Sequence, residues 1–281
     1  MFDKVVRGGA AVLVRQLVSF PINLLGVTLV SRMLRPDDFA FNAILVPAVG
    51  LALLAIDWGT SQALVQAHNP ASPGLMRRIQ WQKLLAGLAV IAVLLLFSSD
   101  LASYWDVPTS LILLFPAAGL IGWLQSQRAY QAVRLQRRVE WSALARVELI
   151  EIVVYNAALV VAAYLLRSAW AFAIAMGLRA LVGSVLLRMN AMREKMPPVP
   201  ATEEQAEVMT INMKPLLVFG VPMQLTALLG ILNGLANPVI VGGLLGAYSV
   251  GLINWSNNIV NMPRVPMRPF PLFLFSVLSE R

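Results

Sequence analysis

Long apolar runs broken by short polar stretches dominate this chain. Runs of about 20 apolar residues match the hydrocarbon thickness of a bilayer when coiled as helix. They predict spans at roughly 9–34, 40–66, 79–99, 109–128, 142–166, 169–189, 215–241 and 247–276. The stretch from Leu29 to Gln66 shows how one run passes into the next. Pro36 ends the first helix, because it lacks an N–H and restricts the residue before it. Asp37 and Asp38 follow, and their side-chain oxygens suit the positive start of a second helix. That helix carries an acid, Asp57, just before Gly59. The expected fold class is therefore an all-α membrane protein with about eight transmembrane helices.

Composition agrees with this. Hydrophobic residues make up 58%, charged residues 13%, and the mean hydropathy is +0.72. A soluble globular domain carries about twice that share of charge. The net charge of +8 invites a nucleic-acid reading. However, the basic residues lie in short clusters between apolar runs, which is a topology signal. Lys4, Arg7, Arg77, Arg78, Lys83, Arg134, Arg137, Arg138, Arg188, Arg193, Lys195, Lys214, Arg264, Arg268 and Arg281 fall on one side of the alternation. Arg32, Arg35 and Arg167 fall on the other, with Asp37, Asp38, Asp100 and Asp106. The positive-inside rule puts both termini in the cytoplasm. Lys4 and Arg7 precede an apolar run without a small-residue cleavage site, so this is read as an uncleaved first span. Trp105, Trp141 and Trp170 sit near predicted span ends, where indole rings anchor at the headgroups. The chain has no cysteine, so it has no disulfide or thiolate metal site.

The polar stretch from Asn190 to Met213 divides six spans from two and contains Pro197, Pro198 and Pro200 with Glu203, Glu204 and Glu207. It reads as a linker. Beyond it, Leu244-Leu245-Gly246-Ala247-Tyr248-Ser249-Val250-Gly251 lines up with Met33 to Ala40 at an offset of 211 residues. Each is a helix end, a short turn and a new helix start, and a repeat of this kind marks duplicated transporter folds. The expected organisation is a six-helix lobe over 1–190, a cytoplasmic linker over 191–213, and the first two helices of a second lobe over 214–281.

Nothing in the sequence assembles a hydrolase, kinase or metal site, and no cofactor is expected. His68, beside Asn69-Pro70, reads as a loop residue, and Gly8-Gly9 lacks the strand and Gly-Lys-Ser/Thr of a phosphate loop. The informative residues are charges inside spans, each costing about 2.5–3.5 kcal/mol at mid-helix on insertion scales. Arg15 and Asp57 lie at similar depth in the first two spans, so an Arg15–Asp57 pair is expected, either locking two helices or facing a cavity. Glu148 and Glu151 share one face of the fifth span, with Arg179 at a depth close to Glu151. Those residues suit either a structural clasp or a substrate or ion site. Arg128 and Arg146 lie nearer the edge and can snorkel. Excess buried arginine also suits a pyrophosphate, which guanidinium binds bidentately. Gln16, Ser19 and Asn23 form a polar stripe in the first span; Gln224, Asn233 and Asn237 mark the seventh; Asn254, Asn257, Asn258 and Asn261 recur in the eighth. Such amides serve as interhelical glue or line a hydrophilic path. Prolines 21, 47, 116 and 222 are expected to bend their spans, and Pro263, Pro266, Pro269 and Pro271 to make the last one irregular.

Two motifs carry a family resemblance. Met33-Leu34-Arg35-Pro36-Asp37-Asp38-Phe39-Ala40 and Asp57-Trp58-Gly59-Thr60-Ser61-Gln62-Ala63-Leu64-Val65-Gln66 resemble the first hairpin of the polysaccharide and oligosaccharide flippases. These are the Wzx-like (PST) branch of the multidrug/oligosaccharidyl-lipid/polysaccharide exporter superfamily. Ala40 stands where that family usually has glycine. Family members have two six-helix lobes, often with two more spans, so the resemblance implies that this chain corresponds to about the first two-thirds of their length. It implies a bacterial inner-membrane protein that moves an undecaprenyl-diphosphate-linked oligosaccharide across the bilayer by alternating access, for O-antigen, capsule or exopolysaccharide synthesis. The implied partners are membrane lipids, that lipid-linked glycan and polymerase or export machinery, with no nucleic acid and no enzymatic activity. The substrate path would run by Arg15, Gln16, Asn23, Arg128, Arg179, Gln224, Asn233 and Asn254, and Asp57, Glu148 or Glu151 would carry a coupling ion or form structural ion pairs. A multidrug cation antiporter of the same superfamily, or a non-transporting remnant or partner subunit, stands as the alternative.

Overall fold

A computed structural model describes residues 2–66, 73–105, 107–137, 140–193 and 213–261. The helices are α1 (Phe2–Ser31), α2 (Pro36–Asp57), α3 (Thr60–Gln66), α4 (Pro73–Leu96), α5 (Ser98–Tyr104), α6 (Leu114–Arg137), α7 (Trp141–Leu166), α8 (Trp170–Arg193) and α9 (Met213–Asn261). A single 3₁₀ turn, Thr109–Leu111, leads into α6. Among the described residues there is no strand, and seven helical stretches are long and apolar enough to cross a membrane. The protein is an all-α, multi-pass membrane protein. His68, the linker prolines and glutamates, Asp106 and the proline cluster after Met262 lie outside the described residues.

The α1–α2 turn forms as its residues dictate. Arg35 is extended, Pro36 opens α2, and the Asp38 carboxylate reaches back to accept the Arg35 N–H at 3.0 Å. The expected 40–66 span does not run through. α2 stops at Asp57 because Trp58 (φ 49°) and Gly59 (φ 71°) are both left-handed, and α3 starts afresh at Thr60. The third span likewise ends at Leu96 and passes into the short α5. Pro116 lies in the first turn of α6, where a missing N–H costs nothing, so it opens that helix instead of bending it. Pro21, Pro47 and Pro222 do lie inside helices. Trp105, Trp141 and Trp170 fall at helix ends.

The seventh and eighth expected spans meet without a loop. α9 breaks at Gly246, whose φ of 78° and ψ of 172° belong to a region open essentially to glycine alone. This is the residue that the 211-residue offset pairs with Arg35, the extended residue between α1 and α2.

Packing does not follow chain order. α1 lies on α7, not on α2; α6 packs against α2, α4 and α8; α7 packs on α8; and α9 runs along α2. The main apolar cluster joins Val30, Phe39, Leu45, Val49, Ile121 and Phe172, with Phe39 and Phe172 meeting edge to face at 5.5 Å. Without a hydrophobic drive between helices in lipid, close fits of this kind and interhelical hydrogen bonds hold the bundle.

Candidate functional site

Two buried polar centres lie inside the bundle. The first gathers five charges from four helices: Arg15 of α1, Arg128 of α6, Glu148 and Glu151 of α7, and Arg179 of α8. Arg128 Nε donates to Glu151 Oε1 at 2.7 Å, and its terminal nitrogen reaches Glu148 Oε1 at 3.3 Å. Arg15 pairs with the other oxygen of Glu148. Arg179 Nε stands 3.8 Å from Glu151 Oε2, too far for a hydrogen bond, and lies over the Tyr155 ring at 5.9 Å. Glu151 is fully buried, and its Oε2 has no hydrogen-bond partner among the described residues. Gly183 of α8 makes room for it, since a Cβ there would collide with Glu151 Oε1.

The helical spacing explains the assembly. Glu148 and Glu151 are three apart and share a face of α7. That face lies between α1 and α8, which both pack on α7, and α6 touches α7 directly as well as α8. Three guanidiniums face two carboxylates, so the cluster keeps one formal positive charge. Arg179 is the residue with most to spare: its side chain is 46% exposed, against about a fifth for Arg15 and Arg128.

The second centre corrects two expectations. Asp57 does not meet Arg15; it meets Lys83 of α4, Nζ to Oδ1 at 2.5 Å. Lys83 reads in the sequence as a loop cation, yet it is fully buried. Its Nζ also donates to Ser61 Oγ at 2.8 Å and to the Ser126 carbonyl at 3.3 Å. Asp57 in turn accepts from the Ser61 hydroxyl and backbone N–H, at 2.6 and 3.2 Å. The centre ties α2, α3, α4 and α6 together as a closed knot. Just beside it Gly59 meets Gly220 of α9, where a Cβ on Gly59 would stand 2.5 Å from the Gly220 carbonyl oxygen. One signal for Lys83 was available in the sequence: its number falls inside the apolar 79–99 run, not before it.

Two cavities lie between α2 and α9. The larger, about 420 Å³, is walled by Val46, Pro47, Gly50, Ile231, Gln125 and Met176, with other neighbours. Gln125 precedes Arg128, and Met176 precedes Arg179, by three residues, so each pair shares a helix face. Among the described residues, none of the five cluster charges lines this cavity. The smaller cavity, about 290 Å³, adjoins it through Val46, Pro47 and Gly234, and its polar lining comprises Asn42, Asn254 and Asn257.

The other expected path residues divide. Arg128 does not snorkel, because it is held by Glu148 and Glu151. Asn23 accepts from Asn156 of α7 at 2.9 Å, and so serves as glue between helices. Ser19 donates to the Arg15 carbonyl in its own helix. Gln16 Oε1 and Gln224 Oε1 are buried without a partner among the described residues. Asn233 is exposed, and Asn254 donates to the Phe39 carbonyl at 2.9 Å while lining the smaller cavity. Asn42 is the one the sequence reading passed over, although an amide within so apolar a helix was a signal.

A family model described as polysaccharide biosynthesis protein matches residues 29–272. The chain belongs to that family. No curated protein and no solved structure gives a significant match. Membership rests on most of the chain, including both halves of α9, and it associates this charged and amide-lined interior with polysaccharide synthesis.

Proposed function

We propose that this polysaccharide biosynthesis protein is a flippase for a lipid-linked oligosaccharide, carrying an undecaprenyl-diphosphate glycan from the cytoplasmic to the periplasmic leaflet of the bacterial inner membrane. This extends the family assignment to the Wzx-like branch, on the hairpin motifs from Met33 to Gln66. The observation that carries it is the intramembrane cluster with three arginines against two glutamates. A diphosphate bears charge that the excess guanidinium offsets, and among the described residues Arg179 has no hydrogen bond that would compete with bidentate contact. Arg15 and Arg128, held by Glu148, keep the cluster together when the substrate is absent. The lipid tail would remain in the bilayer.

The same excess of arginine disfavours a multidrug cation antiporter, which needs buried acids unopposed by this many cations. If an ion gradient drives the cycle, Glu151 is the better carrier, because Asp57 is saturated by Lys83 and Ser61. Both termini would lie in the cytoplasm, and polymerase or export machinery would act downstream.

Complementation tests the proposal. In a strain lacking its own O-antigen or exopolysaccharide flippase, the wild-type chain is expected to restore surface glycan and Arg179→Ala to fail at equal expression. Equal restoration by both would remove the cluster from the mechanism.

A further inference from the structure

The start of α4 carries positive charge that the protein does not compensate. No acidic residue lies between Asp57 and Asp100, and Arg77, Arg78 and Lys83 all fall in that interval. Lys83 takes up Asp57 inside the bundle. Arg77 and Arg78 are exposed, and among the described residues neither guanidinium has a hydrogen bond or an ion pair. Leu75 and Ile79 seat this end of α4 on Ala63 and Leu64 of α3 and on Tyr130 and Val133 of α6. Neither α3 nor α6 contains an aspartate or glutamate, so these neighbours supply no counter-charge. Leu75, Ile79, Lys83 and Gly87 are buried at four-residue intervals and mark the inward face of α4. At about 100° per residue, Trp81, Leu85 and Leu88 fall on the opposite side, and they are 53%, 62% and 57% exposed. Arg77 and Arg78 flank that apolar ridge where it nears the helix start, about one turn into a stretch able to span the bilayer.

We propose that this face of α4 seats an anionic phospholipid, with Arg77 and Arg78 on its headgroup phosphate and its acyl chains along Trp81, Leu85 and Leu88. The seat is separate from the charged cluster and does not depend on the flippase reading. Guanidinium matches the two free oxygens of a phosphodiester, and at headgroup depth its long stem lets it snorkel toward them. An indole beside it fits the same depth. A zwitterionic lipid offers the same phosphate but brings its own cation, so two uncompensated arginines favour a lipid with net negative charge. Each basic residue near an anionic headgroup is worth about fivefold in affinity, and two give about thirtyfold. The same helix carries Lys83 on its inward face, so the lipid steadies the helix that closes the Asp57 knot.

The chain has no cysteine, so Leu85→Cys gives a single thiol on the ridge for a bimane fluorophore. The labelled chain is placed in phosphatidylcholine nanodiscs with a minority of phosphatidylglycerol, and a doxyl quencher is carried on the acyl chain of one lipid or the other. Per quencher molecule, doxyl-phosphatidylglycerol is expected to quench at least about fivefold more than doxyl-phosphatidylcholine. Arg77→Gln and Arg78→Gln should each reduce that preference, and the double variant should bring the two quenchers level. Quenching by doxyl-phosphatidylcholine should stay as in the parent, which shows that the helix still stands folded against lipid. Arg32→Gln/Arg35→Gln, which removes the same charge from exposed positions at the other end of the bundle, should leave the preference intact. Equal quenching by both lipids in the parent overturns the seat. A preference that survives Arg77→Gln/Arg78→Gln, or is lost equally in Arg32→Gln/Arg35→Gln, overturns it too. Loss of the preference on adding excess glycerol phosphate also overturns it, because the arginines would then hold a free anion and not a lipid. Absence of quenching by either lipid would show that this face does not meet the bilayer, with the same consequence.

Discussion

Replacing Lys83 by methionine is the sharpest test of the closed knot. The side chain is fully buried, and its ammonium has three acceptors: Asp57 Oδ1 at 2.5 Å, Ser61 Oγ at 2.8 Å and the Ser126 carbonyl at 3.3 Å. Methionine fills much of the same space but leaves the Asp57 carboxylate with only its two Ser61 bonds. Removing one partner of a buried pair costs about 3–5 kcal/mol, most of it the penalty of the stranded charge. Lys83→Met/Asp57→Asn removes both charges, and replacing a whole buried pair is often close to neutral. The double variant should therefore be more stable than the Lys83→Met single, with a coupling energy of about 2–3 kcal/mol. Denaturant titration of the purified protein in detergent, followed by tryptophan fluorescence, measures all four corners of the cycle. A Lys83→Met cost below about 1 kcal/mol, or a double variant no more stable than the single, would refute the argument.

Other sites give separate expectations. Gly183→Ala puts a Cβ into the Glu151 carboxylate, so it should lower thermal stability and surface-glycan rescue together, whereas Gly74→Ala, with open space around its Cβ, should leave both near wild type. Gly246→Ala meets no neighbouring atom but forces alanine into a glycine-only conformation, costing about 1–3 kcal/mol in a melt of the purified protein. Asn23→Ala and Asn156→Ala each break the α1–α7 amide bond and should cost only about 0.6 kcal/mol, and no more in combination, as read by a double-mutant cycle. Glu148→Gln releases Arg15, leaves Arg128 on Glu151 alone, and raises the cluster from one to two formal positive charges. Pyrophosphate binding measured by calorimetry should tighten, and an unchanged or weaker affinity would count against an anion site.

The α1–α2 turn was legible because its determinants are local: Pro36 marks the boundary between two helices, and Asp38 can reach its own helix start. The break at Gly246 was legible through the 211-residue echo of Arg35. The charge partners were harder to read. Assigning Asp57 to Arg15 assumed that consecutive spans pack on each other, which holds only as a majority tendency. Here α1 leaves α2 and lies on α7, so Arg15 meets Glu148 and Asp57 is left for Lys83. Lys83 was misread because loop-charge counting treats any lysine near a span edge as solvated. α4 begins at Pro73, six residues before the expected span, which moves Lys83 from about one turn to nearly three turns from the helix start. The stop at Trp58–Gly59 was hidden for another reason: a left-handed tryptophan has no sequence signature, and the polar run from Asp57 to Gln62 is short enough to pass as part of one span. Asn42 needed the structure because its lack of a partner is something only the packing reveals.

Transbilayer movement of a defined substrate tests the central claim most directly. The purified chain is reconstituted into liposomes holding a fluorescent prenyl-diphosphate oligosaccharide in both leaflets, and an impermeant quencher reports how much reaches the outer one. The account predicts that wild-type protein exposes the inner-leaflet pool and that Arg179→Ala leaves it protected, as in protein-free liposomes. Exposure at the same rate with Arg179→Ala, or no protein-dependent exposure at all, would contradict it.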